Sequence, residues 1–281
     1  MKVFETLKSA AEILKSNGLD NAVREGKSLL AFVLGKNQTF LVAHPEYELS
    51  FEEENQFQSV LERRAGREPF QYIVGRQEFF GLDFAVTKDV LIPRPETEMI
   101  VEAAIEILRG KENSAFCEVG IGSGCIAVSI LHEIKTARAV GLDVSNAALE
   151  IAKKNADAHR VLNRLELKIS DVFEILEDKK FDLIVSNPPY ISAEEMKYLQ
   201  PEVGKFEPQA ALSDGADGFS IIEKIIGGAA RFLKPEGFLL MEIGCGQARR
   251  VKAMFDKNLW REVEILPDLQ QIPRMVKAQI R

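Results

Sequence analysis

Residues 115–124 read Ala115-Phe116-Cys117-Glu118-Val119-Gly120-Ile121-Gly122-Ser123-Gly124, a short apolar run that carries one acidic residue and closes in three alternating glycines. Helical spacing follows at once, from Ile126 to Leu131. A strand, a tight turn and a helix are therefore predicted in that order, since glycine lets the backbone reverse and approach a ligand with no Cβ in the way. Dinucleotide sites favour G-x-G-x-x-G, which admits a pyrophosphate onto the helix N-terminus. Here the pattern is acidic-x-G-x-G-x-G with Glu118 at its head, which suits a ligand bearing an ammonium group and no phosphate. A glycine-rich turn by itself is also compatible with a purely structural role.

Working outward, strands are expected at 115–119, 137–143, 165–169, 181–186, 237–243, 262–266 and 274–280, with helices near 124–134, 145–158, 219–232 and 246–257. Alternation of this kind, with strands as continuously apolar as Phe181-Asp182-Leu183-Ile184-Val185, predicts an α/β fold whose mainly parallel sheet is covered on both faces. Only Pro267 to Pro273 separates the last two strands, too little for a helical crossover, so they should pair antiparallel.

Toward the N-terminus the period changes. Val3, Leu7, Ala10, Ala11 and Leu14 recur at helical spacing until Gly18, and Asp20 can cap a second helix reaching Gly35. Ser50 followed by Glu53 has capping-box spacing and opens a third helix through Phe57, Val60 and Leu61. Gly75, Gly81 and the alternation of Leu82, Phe84 and Val86 indicate a β-hairpin linker, after which Pro93 and Pro95 precede a helix from about Glu96 to Leu108. The expected division is a helical bundle over 1–70, a hairpin linker over 71–92 and an α/β domain over 93–281.

Composition narrows the function classes. With 281 residues, 46% hydrophobic and 28% charged, the chain can bury a sizeable core and is neither disordered nor fibrous. Its apolar runs, such as Phe238 to Met241, are too short for a membrane span, and the amphipathic N-terminus lacks a signal peptide's apolar stretch, so a cytoplasmic location is expected. Cys117, Cys125 and Cys245 are odd in number and widely spaced, and His44, His132 and His159 do not cluster, which argues against a disulfide framework and a metal site. The net charge of −7 supplies no global attraction for nucleic acid.

Three further strand ends carry chemistry. Ala139-Val140-Gly141-Leu142-Asp143 places Asp143 where a carboxylate can accept both hydroxyls of a ribose, with Val144 beside it. The competing role for Asp143 is to cap the next helix. Ser170-Asp171-Val172 offers a second carboxylate and an apolar surface, on which a purine could lie with Asp171 accepting from its exocyclic amine. The most specific signal is Asn187-Pro188-Pro189-Tyr190. The Asn187 side-chain oxygen and the Pro188 carbonyl are two neutral acceptors able to take both hydrogens of one planar NH₂. The two prolines stiffen the turn, and Tyr190 offers a face for a flat amide or heterocycle. A delocalised amine held in this way is oriented toward an electrophile, so the chemistry implied is methyl transfer from a sulfonium.

Together with Asp143 and Asp171, the glycine turn and Asn187-Pro188-Pro189-Tyr190 resemble the S-adenosylmethionine-dependent class I methyltransferases that act on planar nitrogens. Glu78-Phe79-Phe80-Gly81, Leu91-Ile92-Pro93-Arg94-Pro95-Glu96-Thr97-Glu98, Phe206-Glu207-Pro208 and Ala211-Leu212 are similar to the HemK-type release factor glutamine methyltransferases. That resemblance implies a Rossmann-like seven-stranded sheet and transfer of a methyl group to the side-chain amide nitrogen, N5, of the glutamine in the Gly-Gly-Gln loop of peptide chain release factors. It assigns Glu118, Gly120, Ile121, Gly122, Ser123, Gly124, Asp143, Val144 and Asn187 to S-adenosylmethionine. Asp171 and Val172 would flank the adenine. Some members carry a large aromatic where this chain has Val172, so adenine stacking would stay with Val172 or pass to Phe173 here. Asn187, Pro188, Pro189 and Tyr190 would hold the glutamine.

The alternative is an adenine-N6 or guanine-N2 methyltransferase acting on DNA or RNA, because the same motif can grip a flipped base. Residues 1–75 hold nine Lys or Arg against eleven Asp or Glu, a poor surface for a phosphate backbone, so no stable nucleic-acid binding is expected. Arg63, Arg64 and Arg67 form a small cluster, read as a solvated helix face that could meet an acidic patch on a protein partner. A catalytically silent cofactor-binding scaffold is the third possibility, disfavoured by the intact Asn187 and Tyr190.

Overall fold

Helical spacing in the first 75 residues becomes five helices, α1 (Val3–Ser16), α2 (Ala22–Leu34), α3 (Gln38–Ala43), α4 (Phe51–Ala65) and α5 (Phe70–Val74). The computed structural model describes all of Met1–Arg281. The capping box at α4 forms as its spacing requires: the Glu53 amide donates to Ser50 Oγ at 3.2 Å and the Ser50 amide donates to Glu53 Oε2 at 2.8 Å. At α2 the residue in the capping position is Asn21 rather than Asp20, and its side chain makes no cap bond. The apolar stripes of α1, α2 and α4 meet in a core that includes Leu14, Leu29, Leu30, Phe57 and Leu61.

By contact, the chain divides into one unit of Met1–Arg76 with Gln200–Phe206 and another of Gln77–Leu199 with Glu207–Arg281. The returning segment in the first unit explains the arginine cluster. Arg64 is buried at 6% exposure, forms an ion pair with Glu25 and donates to Glu202 Oε1 at 3.2 Å. Arg67 pairs with Glu202 at 2.7 Å, and Arg63 with Glu68 at 2.6 Å. The cluster read as a solvated, partner-facing patch is therefore committed to carboxylates of its own unit, because charges entering a core must be paired there.

After α5 the chain forms the hairpin strands β1 (Arg76–Phe79) and β2 (Leu82–Ala85) and continues through α6 (Glu98–Leu108), β3 (Ala115–Val119), α7 (Cys125–Glu133), β4 (Arg138–Asp143), α8 (Asn146–Ala158), β5 (Leu165–Ile169) and β6 (Phe181–Ser186). After the short helices α9 (Pro201–Phe206) and α10 (Gln209–Leu212), none of whose spacing stands out in the sequence, come α11 (Ser220–Phe232), β7 (Leu233–Glu242), α12 (Ala248–Ala253), β8 (Trp260–Pro267) and β9 (Pro273–Ile280). A tight turn over Pro95–Thr97 delays the start of α6 to Glu98.

The seven-stranded sheet has the order β5-β4-β3-β6-β7-β9-β8. Strands β4, β3, β6 and β7 are mutually parallel, and β9 pairs antiparallel with both β7 and β8, the latter as the short final connection requires. One apolar cluster, with Phe79, Phe84, Ile100, Ile130 and Leu183, fills one side of the sheet, and a second, with Leu142, Ile184, Ile222, Ile225 and Val276, fills the other. Chain order reverses direction between β3 and β6, and the register aligns Val119 with Leu142 and with Ser186. A crevice must open outside those carboxyl ends, because the connections leave in opposite directions. No helix is long and apolar enough to cross a membrane.

The arginine assignment has a measurable consequence. Arg64→Ala strands Glu25 and Glu202 and should destabilise the helical unit by about 3–5 kcal/mol, the usual cost of removing one partner of a buried ion pair. Chemical denaturation of the full chain that shows a loss under about 1 kcal/mol would contradict the pairing.

Candidate functional site

At the crevice, the chain leaving β3 folds back over β4. The Gly120 and Ile121 amides both donate to the Leu142 carbonyl, at 2.8 and 2.9 Å. This reversal needs positive φ at Gly120 and Gly122, +72° and +53°, values that side chains resist. At Gly124, φ is +80° and a Cβ would lie 3.2 Å from that of Ala152 on α8, so the third glycine serves helix packing. Asn155, mid-helix and 1% exposed, completes the frame: its Nδ2 donates to the Ser123 carbonyl at 2.8 Å and to the Ala85 carbonyl at 3.0 Å, while its Oδ1 accepts from the Ala85 amide. The hairpin is thereby tied to the glycine turn.

Asp143 closes the turn on the other side. Its Oδ2 accepts from the Gly122 amide and its Oδ1 from the Ser145 amide, both at 2.9 Å. Ser145 caps α8, accepting from the Ala148 amide at 3.2 Å, so Asp143 is not spent on that task. Burial raises the pKa of Asp143 above its ordinary value, opposed by these backbone donors. Asp171 pairs with Lys224 at 2.6 Å at the rim.

Glu118 is the electrostatic anomaly. It is 1% exposed, and its carboxylate accepts one bond, from the Ala127 amide at 2.8 Å on the first turn of α7. Burial pushes its pKa well above the carboxylate range, and the charge of Asp143 adds to the rise. A buried acid facing a cleft with no cation of its own is the arrangement that a ligand's ammonium group would complete.

A cavity of about 240 Å³ joins these parts. Of the residues predicted from sequence, all but Gly124, Phe173, Pro188 and Tyr190 line it. Phe173 is turned into the core, 5.0 Å from the Phe232 ring and against Gly228, whereas Val172 is on the cavity wall. Of the two candidates for the adenine, Val172 is the one on the cavity wall, because the Phe173 ring packs beneath α11.

The Asn187-Pro188-Pro189-Tyr190 turn follows β6 directly. Asn187 Nδ2 donates to Thr97 Oγ1 at 3.2 Å, Thr97 Oγ1 donates to Glu242 Oε2 at 2.6 Å, and the Tyr190 hydroxyl donates to Glu242 Oε1 at 3.1 Å. Burial raises the pKa of Glu242, although both of these donors and Arg274 oppose the rise. Neither Asn187 Oδ1 nor the Pro188 carbonyl accepts a hydrogen bond within the chain, so two neighbouring acceptors remain for a ligand. Sequence reasoning missed Thr97 and Glu242 as parts of this group. Thr97 lay in plain view in the Pro93-Arg94-Pro95-Glu96-Thr97-Glu98 run, but Glu242 ends an apolar strand with no local mark. Glu207 is likewise buried, accepting from Arg94 at 2.5 Å and from the Ile92 amide at 3.2 Å, which fixes the turn before Thr97.

The fold and this cleft define a class I methyltransferase, with S-adenosylmethionine as its cofactor. Solved structures agree on the fold: a Pyrococcus furiosus methyltransferase has a TM-score of 0.53 at 17% identity, covering 72% of this chain and 89% of its own. The catalytic domain of hMettl16 in complex with an RNA hairpin has 0.58 at 15%, covering 71% and 76%. Residues 5–75 match the PrmC N-terminal domain and residues 100–202 the methyltransferase small domain. A release factor glutamine methyltransferase of Geobacter sulfurreducens is 42% identical over 95% of this chain and 93% of its own, and that of Cereibacter sphaeroides 40% over 100% and 99%. The chain belongs to the release factor glutamine methyltransferases.

The buried acid supplies a prediction. Because folding raises the pKa of Glu118, its ionisation opposes the fold as pH rises from the ordinary carboxylate value through the raised one. Glu118→Gln should therefore raise the melting temperature of the cofactor-free protein at pH 8, with the gain shrinking as pH is lowered toward 5. The same variant should bind S-adenosylmethionine more weakly by about 1.5–3 kcal/mol, the worth of a hydrogen bond to a charged group. Calorimetry showing unchanged affinity would remove Glu118 from the cofactor site.

Proposed function

We propose that this chain transfers a methyl group from S-adenosylmethionine to the side-chain amide nitrogen of the glutamine in the Gly-Gly-Gln loop of peptide chain release factors. The observation that carries the reading is a pair of acceptors with no partner in the chain, Asn187 Oδ1 on the wall of a cleft that also holds the buried Glu118, and the adjoining Pro188 carbonyl. The bound cofactor supplies an electrophilic methyl group on a sulfonium. Glu118 would hold its ammonium end, the Gly120 to Gly124 turn its methionine portion, Asp143 its ribose hydroxyls, and Val144 and Val172 the faces beside its adenine, with Asp171 at the exocyclic amine.

The residues of the turn after β6 then act on the substrate. An amide nitrogen is a poor nucleophile because its lone pair is shared with the carbonyl. Asn187 and Pro188 take its two hydrogens, orient it toward the methyl group and stabilise the positive charge that develops as the bond forms. Pro189 stiffens the turn. Tyr190 is anchored through its hydroxyl on Glu242, which would hold its ring in place for the flat amide rather than leave it mobile. As the N–C bond forms the sulfonium S–C bond would break, leaving a neutral thioether, and the alkylated nitrogen, now acidic, would give one proton to solvent, so no strong base is required. The partner is a protein and the place of action is the cytoplasm. No stable complex with nucleic acid is part of this reading.

Asn187→Ala should leave cofactor affinity within about threefold while lowering transfer to a purified release factor by at least about 100-fold, as expected for an interaction made in the transition state. Near-normal turnover would overturn the role of Asn187. Asp143→Ala should weaken cofactor binding by about 1–3 kcal/mol, and unchanged affinity would exclude it as the ribose ligand.

A further inference from the structure

Asparagine has two ends of nearly equal shape and opposite hydrogen-bonding sense. If Asn187 turned its nitrogen to the substrate, donors would face donors and the amide would be repelled. The turn itself does not decide the matter, since prolines fix the backbone and leave the side-chain torsion free. Something else must set which end points inward.

Thr97 has a single hydroxyl proton. It is given to Glu242 Oε2 at 2.6 Å, so toward Asn187 the threonine oxygen offers only a lone pair. The side-chain nitrogen is then the sole end of Asn187 that can bond to it, as observed at 3.2 Å, and Oδ1 is directed to the other side. Thr97 and Glu242 are 2% and 3% exposed, so water cannot easily stand in for either partner. Glu242 accepts from both neighbours, since the Tyr190 hydroxyl donates to its other oxygen at 3.1 Å; burial, the largest influence, and Glu96 raise its pKa, while these two donors and Arg274 favour its charged form. Register places it well: Ser186 pairs with Met241, so Glu242 lies beside Asn187 on the next strand. Thr97 comes from the turn that Arg94 and Glu207 fasten.

We propose that Thr97 and Glu242 are positioning residues that fix the acceptor end of Asn187 toward the substrate amide. The inference rests on the proposed reaction, but its structural half can be read without turnover. In the wild-type protein the Asn187 side-chain NH₂ resonance should show slowed hydrogen exchange, because one proton is held by Thr97. In Thr97→Val, which keeps the shape and removes the acceptor, that protection should be lost while backbone resonances elsewhere stay in place. In the transfer assay Thr97→Val should lower kcat by about 10–100-fold, with KM for the release factor within about threefold and cofactor Kd within about twofold, and Thr97→Ser should restore most of the rate. Glu242→Gln, which places a donor where the network needs acceptors, should behave as Thr97→Val. The proposal is overturned if Thr97→Val retains kcat within about twofold, if Thr97→Ser fails to rescue, or if rate, cofactor affinity and melting temperature fall together. Absence of transfer by the wild-type protein would instead refute the proposed reaction and leave the exchange measurement to judge the positioning.

Discussion

The whole site hangs from one carbonyl. Leu142 O accepts the amides of both Gly120 and Ile121, and this pair of bonds bends the chain leaving β3 across the end of β4. A turn that tight is open to glycine and closed to nearly every other residue at the same φ. Once it is made, the Gly122 amide reaches Asp143, α7 begins above Glu118, and the space outside β3 and β6 is left as a cleft rather than filled by a side chain. The parallel sheet supplies the crevice, and the carbonyl decides its floor.

Around that floor, polar groups are carried out of water and satisfied from distant parts of the sequence. Asn155 joins the hairpin to the glycine turn, Glu207 gathers Ile92 and Arg94, and Glu242 gathers Thr97 and Tyr190. Each such group costs several kcal/mol if orphaned, which makes the geometry it enforces stiff. Glu118 departs from this pattern, since its buried carboxyl group has no cation beside it within the chain, and it marks the end of the cleft that a cationic ligand group would complete. In the helical unit the same rule operates: Arg64 is buried because Glu25 and Glu202 are there to meet it.

Much of this was legible beforehand, for identifiable reasons. Periodicity and turn chemistry are local, so the alternation of strands and helices, the Ser50–Glu53 cap and the antiparallel ending could be read from neighbours in sequence. The glycine turn, Asp143 and Asn187-Pro188-Pro189-Tyr190 were legible because their chemistry requires rare residue types at fixed spacing. What escaped was non-local. The helix over Pro201–Phe206 takes its stability from pairing with Arg64 and Arg67, which no window of the sequence contains. Phe173 and Val172 are adjacent, and a positive φ of 51° at Val172 helps decide which of them faces the cleft and which the core. Thr97 and Glu242 reach Asn187 from positions 90 residues before and 55 residues after it; the register of β6 and β7 brings in Glu242, and the turn fastened by Arg94 and Glu207 brings in Thr97.

The central claim is that the amide grip serves a glutamine on a protein. It is tested most directly by incubating the full chain with isotopically labelled S-adenosylmethionine, an unmethylated release factor and, in parallel, DNA and RNA, then mapping the label by peptide mass spectrometry. The account predicts a single methyl group on the side-chain amide of the Gly-Gly-Gln glutamine and none on nucleic acid. Label on a base, with the release factor unmodified, would contradict it.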